Sequence, residues 1–444
     1  MNSNTSTDPP SAPLPFDPAL LRHALEQARL EGKQLSRRIG EARKTGCDPA
    51  ALLEQRKQLS VHERALSQRL ALLEESLSPE PAVPALHAEH RLPSSAAPPP
   101  AEPVLVSPLE DSDCKAWDSF VREHPQASSY HLSGWRGVCH KAFGHTSHYL
   151  LARRSGQVVG VLPLVQLKSA LFGNFLVSMP FLNYGGVLAL DELARWQLQA
   201  HAVSLAERLG CSHIELRETS PGSWPMRTDK LSMWLPLPDT VEALWTQLGS
   251  KLRAQIKKGL NHGLVFETGG VVLLDDFYRV FSTNMRDLGT PVYSRRFFEL
   301  VLREAPGQPE LVVGKDATGK PVAAALVLRH GHRMEVPWAS TLRRAHSTNA
   351  NMALYWTLLS HACRQACRTF DFGRSSVDAP THRFKKQWGA QAVPLFWHYW
   401  MADGHAIPQI NPGNPKYQLA IAAWKRLPVM VANVVGPVIS RSIP

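Results

Sequence analysis

Along residues 17–78 apolar side chains return every seventh place. Leu21, Ala28, Leu35 and Ala42 form one seam, with Leu25 and Ile39 beside it. Leu52, Leu59, Leu66 and Leu73 form a second, with Leu70 and Leu77 beside it. Between them Gly46 suits a helix stop, Asp48 an N-cap and Pro49 a first helical turn. The pattern predicts an antiparallel helical hairpin, a surface for a coiled-coil partner or for self-association. From Val104 onward the period changes. HYLLARRSGQVVGVLPLVQLK predicts a β-hairpin turning at Ser155-Gly156, followed by a strand in NFLVSMPFL, a helix ending on Gly210 and the strand SHIELRE. ELVVGKDATGKPVAAALVLRHG predicts a second hairpin turning at Thr318-Gly319, then the strand HRMEVPWAST, the helix NMALYWTLLSHACRQAC and the strand TFDFGRS. Helical segments open each half. The same plan thus occurs twice.

Helices, an antiparallel hairpin, then a helix leading to a further strand is the element order of a GNAT domain. The expected class is α/β (α+β), with two tandem GNAT-like domains over 104–240 and 241–402, the second being the catalytic half. Residues 1–16 are rich in Pro, Ser and Asn and read as disordered. Residues 79–103 read as a Pro/Ala-rich linker and 403–444 as a tail with short helices. That tail is apolar and broken at Pro428 and Pro437. Packing on the body is expected, with contact to a membrane surface as the alternative.

Composition narrows the setting. No apolar run reaches the ~20 residues of a spanning helix, and the N-terminus lacks the apolar core of a signal peptide. The expected location is cytoplasmic, or peripheral at an inner membrane. Six scattered cysteines without a CxxC pair fit reduced thiols. A formal charge of +11 favours an anionic partner such as a nucleotide, coenzyme A, tRNA or an anionic membrane.

Several residues can carry chemistry. Asp371 and Arg374 end a strand, where the Asp can take a proton from an attacking amine or orient it. Asn183 and Tyr184, followed by Gly185 and Gly186, form a polar turn that a ligand can approach closely. Tyr293 and Trp338 fit an acceptor groove or the core. In LGSKLRAQIKKGLNHG, Leu248, Leu252, Ile256 and Leu260 are spaced to face the core, leaving Arg253, Lys257 and Lys258 to hold phosphate. The turn LRRAHSTNANMALYW has no glycine, so the usual GNAT cradle for the coenzyme A pyrophosphate is missing. Arg343, Arg344, Ser347, Thr348 and the Asn349/Asn351 pair stay available for phosphate, or one Asn caps the helix. His145/His148 and His330/His332 lack a third ligand, and no metal is expected. Neither a G-x-S-x-G elbow nor a Walker loop occurs.

The stretch from HLSGWRGVCHKAF to NYGGVLA, then KLRAQIKKGLNHG, FDFGRSSVDAPTHRFKKQWGA and the tail, resembles the FemAB family, most closely its branch associated with PEP-CTERM/exosortase systems and exopolysaccharide production. The resemblance spans most of 115–444. It implies a double GNAT fold and transfer of an acyl or aminoacyl group from acyl-CoA or aminoacyl-tRNA, with no permanently bound cofactor. The implied acceptor is an amine on a peptide or amino sugar. It implies further that Phe384-Lys385 lies at the reaction centre, with Lys385 on the oxyanion and Lys386 as the neighbour that competes for that role. The rival reading is a catalytically idle scaffold of a polysaccharide-export system; a third is RNA binding through the basic helix.

Overall fold

A computed structural model describes residues 18–44, 52, 55, 102–170, 172–377, 379–402, 407–408 and 415–443. The chain divides into two compact units, 1–97 and 98–444. In the first unit helix α1 (Pro18–Lys44) buries Leu25 and Ile39 and shows Arg37 and Glu41 to solvent as an i,i+4 pair. The expected second arm beyond Gln55, the linker up to 101 and residues 1–16 lie outside the described residues.

The second unit is built on two sheets. β1 (Leu105–Pro108), β3 (Leu150–Arg154), β4 (Gln157–Leu162) and β7 (Leu188–Ala189) form a small one in the order β1-β3-β4-β7. The other has eleven strands. From the first half it takes β2 (Thr146–Ser147), β5 (Val165–Ser169), β6 (Gly173–Val177), β8 (His213–Glu218) and β9 (Met226–Pro236). From the second half come β10 (Val265–Gly269), β11 (Glu310–Lys315), β12 (Pro321–His330), β13 (Arg333–Thr341), β14 (Thr369–Ser376) and β15 (Gln391–Met401). The order is β10-β11-β12-β13-β14-β9-β15-β8-β6-β5-β2.

Helices cover the sheets. α2 (Cys114–Glu123) and α3 (Trp135–Phe143) precede β2, and α4 (Glu192–Arg208) joins β6 to β8. α5 (Val241–Gln247) and α6 (Ser250–Asn261) open the second half. α7 (Leu274–Leu288) and α8 (Arg295–Glu304) follow β10, and α9 (Ala350–Arg364) joins β13 to β14. α10 (Pro380–Lys386), α11 (Pro415–Trp424) and α12 (Val429–Ser440) complete the chain. Local chemistry sets several ends. Asp191 caps α4 by accepting from Ala194 N at 2.9 Å, and Ser294 caps α8 by accepting from Phe297 N at 3.1 Å. Gly289 ends α7 at φ 83°.

Both crossovers return to parallel pairing. β6 pairs β8 at Leu176–Ile214 and Val177–Glu215, and β13 pairs β14 from Arg333–Thr369 to Glu335–Asp371. The terminal strands, however, are exchanged. β9 follows β8 in the chain but lies between β14 and β15, while β15, the last strand of the second half, takes the place beside β8. The two halves therefore share one sheet. Strand alternation sends Phe370 and Phe372 of β14 into the core beneath α6 and α9, and turns Asp371 to the opposite face, where Tyr184 and Tyr130 pack with α2, α3, α7 and α8.

Candidate functional site

The second half contains a wedge. β13 and β14 stay paired for three residues and then part. Two residues encode the parting. Pro337 has no N–H to give a neighbouring strand. Gly373 adopts φ 72°, and the ladder to β9 slips between Asp371 and Arg374. A side chain at Gly373 would meet Asn183 Nδ2 at 3.2 Å and the Val336 carbonyl at 3.3 Å.

Asn183 and Tyr184 enter this wedge from the first half. Asn183 Nδ2 donates to Glu335 Oε1 at 2.7 Å. The Tyr184 hydroxyl stands 3.2 Å from Glu335 Oε2 and makes a shorter hydrogen bond to Asp371 Oδ2. Asp371 also accepts from Ser232 Oγ at 2.6 Å and from Gly373 N at 2.8 Å. Arg333 lies over the rings of Tyr184 and Trp234, 5.7 and 4.7 Å from their centroids. One phenolic proton cannot serve two carboxylates. Burial, and then the charge of Asp371, push Glu335 up to about 8. At neutral pH Glu335 is therefore protonated and can donate to the Tyr184 oxygen, while Tyr184 donates to Asp371. Asp371 is fully buried and already takes three hydrogen bonds.

The cations come from α10 and β14. Pro380 opens α10, and Phe384 turns towards Tyr355 and Trp388. The next residue, Lys385, points the other way and is buried. Its Nζ donates to the carbonyls of Gly373 at 2.8 Å and Arg374 at 2.9 Å. Burial draws Lys385 down to about 8; Asp371 and Glu335 work against that shift and Arg374 with it. An ammonium has three N–H groups, so one is left for a ligand. Lys386 is exposed.

Arg374 is solvent-accessible, yet enough protein surrounds it to lower its pKa to about 10, with Arg217 adding repulsion. Arg374 and Arg217 both stack on Trp397, 5.0 and 4.5 Å from the ring centroid. Arg217 donates from Nε to Glu215 Oε1 and from Nη1 to the Leu182 carbonyl, at 2.7 Å each, and pairs with Glu215, while its buried Nη2 makes no hydrogen bond among the described residues. Arg374 makes no side-chain hydrogen bond or ion pair among the described residues. Burial raises the half-buried Tyr293, and the charges of Arg374 and Arg217 work against that rise. Trp338 is instead a core residue, set edge-on to Tyr293, Phe297 and Phe298.

The basic helix is not part of this group. α6 packs on α9 through Leu252, Ile256 and Gly259, in the core on the other side of the sheet from Tyr184. Arg253, Lys257 and Lys258 sit there, with Lys257 over the Trp245 ring. Leu260 is 37% exposed in the last turn of α6, not in the core as its spacing suggested. At the start of α9 neither asparagine caps through its side chain. Asn349 holds the cap position at φ 55° with its amide turned to the Gln255 carbonyl, and Asn351 accepts from Thr341. Arg343 donates to the Asp287 carbonyl, Arg344 faces Asp316, and Thr348 donates to the Ala345 carbonyl. A Cβ on Gly259 would lie 2.7 Å from the Asn349 carbonyl, so α6 also crowds this helix end. A separate recess of about 290 Å³, lined by His131, Arg195 and Glu218 among others, lies beside Tyr184 and includes neither Lys385 nor Asp371.

Glu335, Arg333, Ser232, Arg217 and Trp397 were not singled out by sequence reasoning. Glu335 did leave a signal: an acid set between the apolar Met334 and Val336 of a strand.

The acetyltransferase (GNAT) domain family matches residues 249–386. The crystal structure of FemX superposes with a TM-score of 0.53 at 15% identity, covering 69% of this chain and 98% of that one. The C-terminal domain of a putative lysylphosphatidylglycerol synthetase from Agrobacterium fabrum gives 0.46 at 12% identity, over 71% and 95% of the two chains. A tandem GNAT protein from the clavulanic acid biosynthesis pathway gives 0.46 at 16%, over 69% and 100%. No curated protein matches. The second half thus carries a GNAT-type acetyltransferase domain, and the body has a FemAB-like GNAT fold.

Proposed function

We propose, with this FemAB-like GNAT fold as the premise, that the protein transfers an acyl or aminoacyl group from an activated donor to an amine in the wedge beside β14. The observation that carries the reading is Lys385: a buried ammonium with two N–H groups fixed on backbone carbonyls and a third unspent. The amine nitrogen attacks the donor carbonyl carbon and the carbonyl oxygen takes negative charge. Lys385 stabilises that oxyanion without reorganising. The carbonyl then re-forms as the bond to the donor's sulfur or ribose oxygen breaks, and the amine proton leaves with that atom. Asp371 supplies the countercharge near Lys385, and Tyr184, Asn183 and Glu335 hold Asp371 in place. Arg374 and Tyr293 would receive an anionic group of either substrate.

The glycine-free turn and the crowded start of α9 favour aminoacyl-tRNA over acyl-CoA as donor. The acceptor we assign is an amine on a peptide or amino sugar, and the setting, carried by the sequence resemblance, is cell-envelope or exopolysaccharide synthesis. Lys385→Ala should lower transfer by about 10²–10³-fold in a protein that still unfolds cooperatively, while Lys386→Ala keeps wild-type turnover. The assay screens acyl-CoAs and aminoacyl-tRNAs and reads release of coenzyme or tRNA. Undiminished turnover in the Lys385 variant would sink the assignment.

A further inference from the structure

α12 is oriented against the usual sense of an amphipathic helix. Its small residues Ala432, Gly436 and Ser440, at spacing four, are buried. Gly436 sits where a Cβ would meet the backbone of Val292 at 2.9 Å. The large apolar residues face water: Met430 at 82%, Val434 at 73% and Val438 at 68% exposed, with Val431 and Val435 alongside. These five occupy one continuous stripe of the helix. Leu419 of α11 is also exposed. Polar contacts hold this orientation. Ser440 Oγ donates to the Val292 carbonyl at 3.1 Å, His145 bonds the Arg441 carbonyl at 2.7 Å, and Arg286 donates to the Leu427 carbonyl at 2.9 Å. The stripe cannot turn inward without breaking them.

We propose that this stripe seats the protein on a phospholipid surface carrying anionic headgroups. Charge selects that occupant. From residue 404 to the end the chain has no acidic residue, and exposed Lys425, Arg426 and Arg441 flank the stripe at its two ends. Apolar side chains between basic flanks fit acyl chains below a layer of negative headgroups. A helix of 12 residues spans about 18 Å, too little to cross a bilayer, so it lies in the plane of the surface. The stripe is independent of the chemistry assigned to Lys385. It adds a location: the acceptor would be met at a membrane.

The test is co-sedimentation of the full chain with phosphatidylcholine vesicles, with and without phosphatidylglycerol. Binding is expected on the anionic vesicles and should weaken as salt rises. Val434→Asp with Val438→Asp should reduce the bound fraction about tenfold or more with an unchanged circular dichroism spectrum. Lys425→Glu with Arg426→Glu should remove the preference for phosphatidylglycerol. Absence of binding to either vesicle would overturn the proposal. So would concentration-dependent self-association that Val434→Asp abolishes, since a second copy would then be the occupant.

Discussion

The two halves of the body repeat one geometry and finish it differently. In each, a strand, a crossing helix and a parallel strand meet for two or three residue pairs and part. At the last pair the first half places Val177 opposite Glu215, and the second places Glu335 opposite Asp371. Glu215 is consumed by Arg217 of its own strand and by the Tyr399 hydroxyl of β15, at 2.7 Å each. The chain then loops back, and Gly185 and Gly186 give their N–H groups to the Arg217 carbonyl. These bonds bridge the parting strands, beside the recess that Gly186, Arg217 and Glu218 line. The second wedge carries two carboxyl groups, borrows Asn183 and Tyr184 from the first half, and keeps an N–H of Lys385 and the side-chain N–H groups of Arg374 unspent. The two copies differ in how their buried charged groups are satisfied, not in the fold they share.

Asp371→Ala should show the largest effect. It strands the Tyr184 and Ser232 hydroxyls and the Gly373 N–H, and leaves Lys385 without a nearby countercharge. A loss of about 3–5 kcal/mol is expected in a denaturant titration. A loss below about 1 kcal/mol would break the contrast between the halves.

The next effect is one of pH. Glu335 has a folded pKa of about 8 against an ordinary 4.5. Between those values the folded protein keeps a proton that the unfolded chain has released. The contribution of this group is therefore whole below about pH 4.5 and is lost as pH rises through 8. Below about pH 6.5 the buried His131 and His330, held neutral in the fold, act in the opposite sense, so the fall in melting temperature should show in the wild type between pH 6.5 and 8. Glu335→Gln, which keeps a donor for Tyr184, should flatten that fall. An identical slope in both proteins would remove Glu335 from the account.

The smallest structural effect should come from Arg374→Ala. A side chain without a hydrogen-bond or ion-pair partner should cost no more than about 0.5 kcal/mol of stability. The Michaelis constant for the anionic substrate should rise nonetheless, which sharpens the distinction between groups spent on the fold and groups held back.

Much of the repeat was legible in the sequence. Ser155-Gly156 and Gly319 mark the hairpin turns because each sits at positive φ, and the helices show in their apolar spacing. Other features were not. The strand in NFLVSMPFL stops at Val177, since Met179 and Phe181 take positive φ, which neither residue type signals. The exchange of β9 and β15 leaves no local trace, because alternation fixes a strand's faces and not its neighbour. Lys385 was singled out through the family resemblance. Glu335, which meets Asn183 and Tyr184, was missed because a lone acid in a strand looks like a solvated edge until the opposite strand is known.

The exchanged strands also bear on how the protein is made. β8 emerges from the ribosome early, yet Tyr399, whose hydroxyl meets Glu215 on that strand, lies 184 residues further along the chain. Through synthesis of nearly the whole second half, one flank of β8 has no strand to pair with, and β9 waits in the same way for β14 and β15. Such open edges invite pairing with other chains. Neither half can therefore be cut out as a folding unit, and a nascent chain stalled before residue 391 should be a substrate for chaperones.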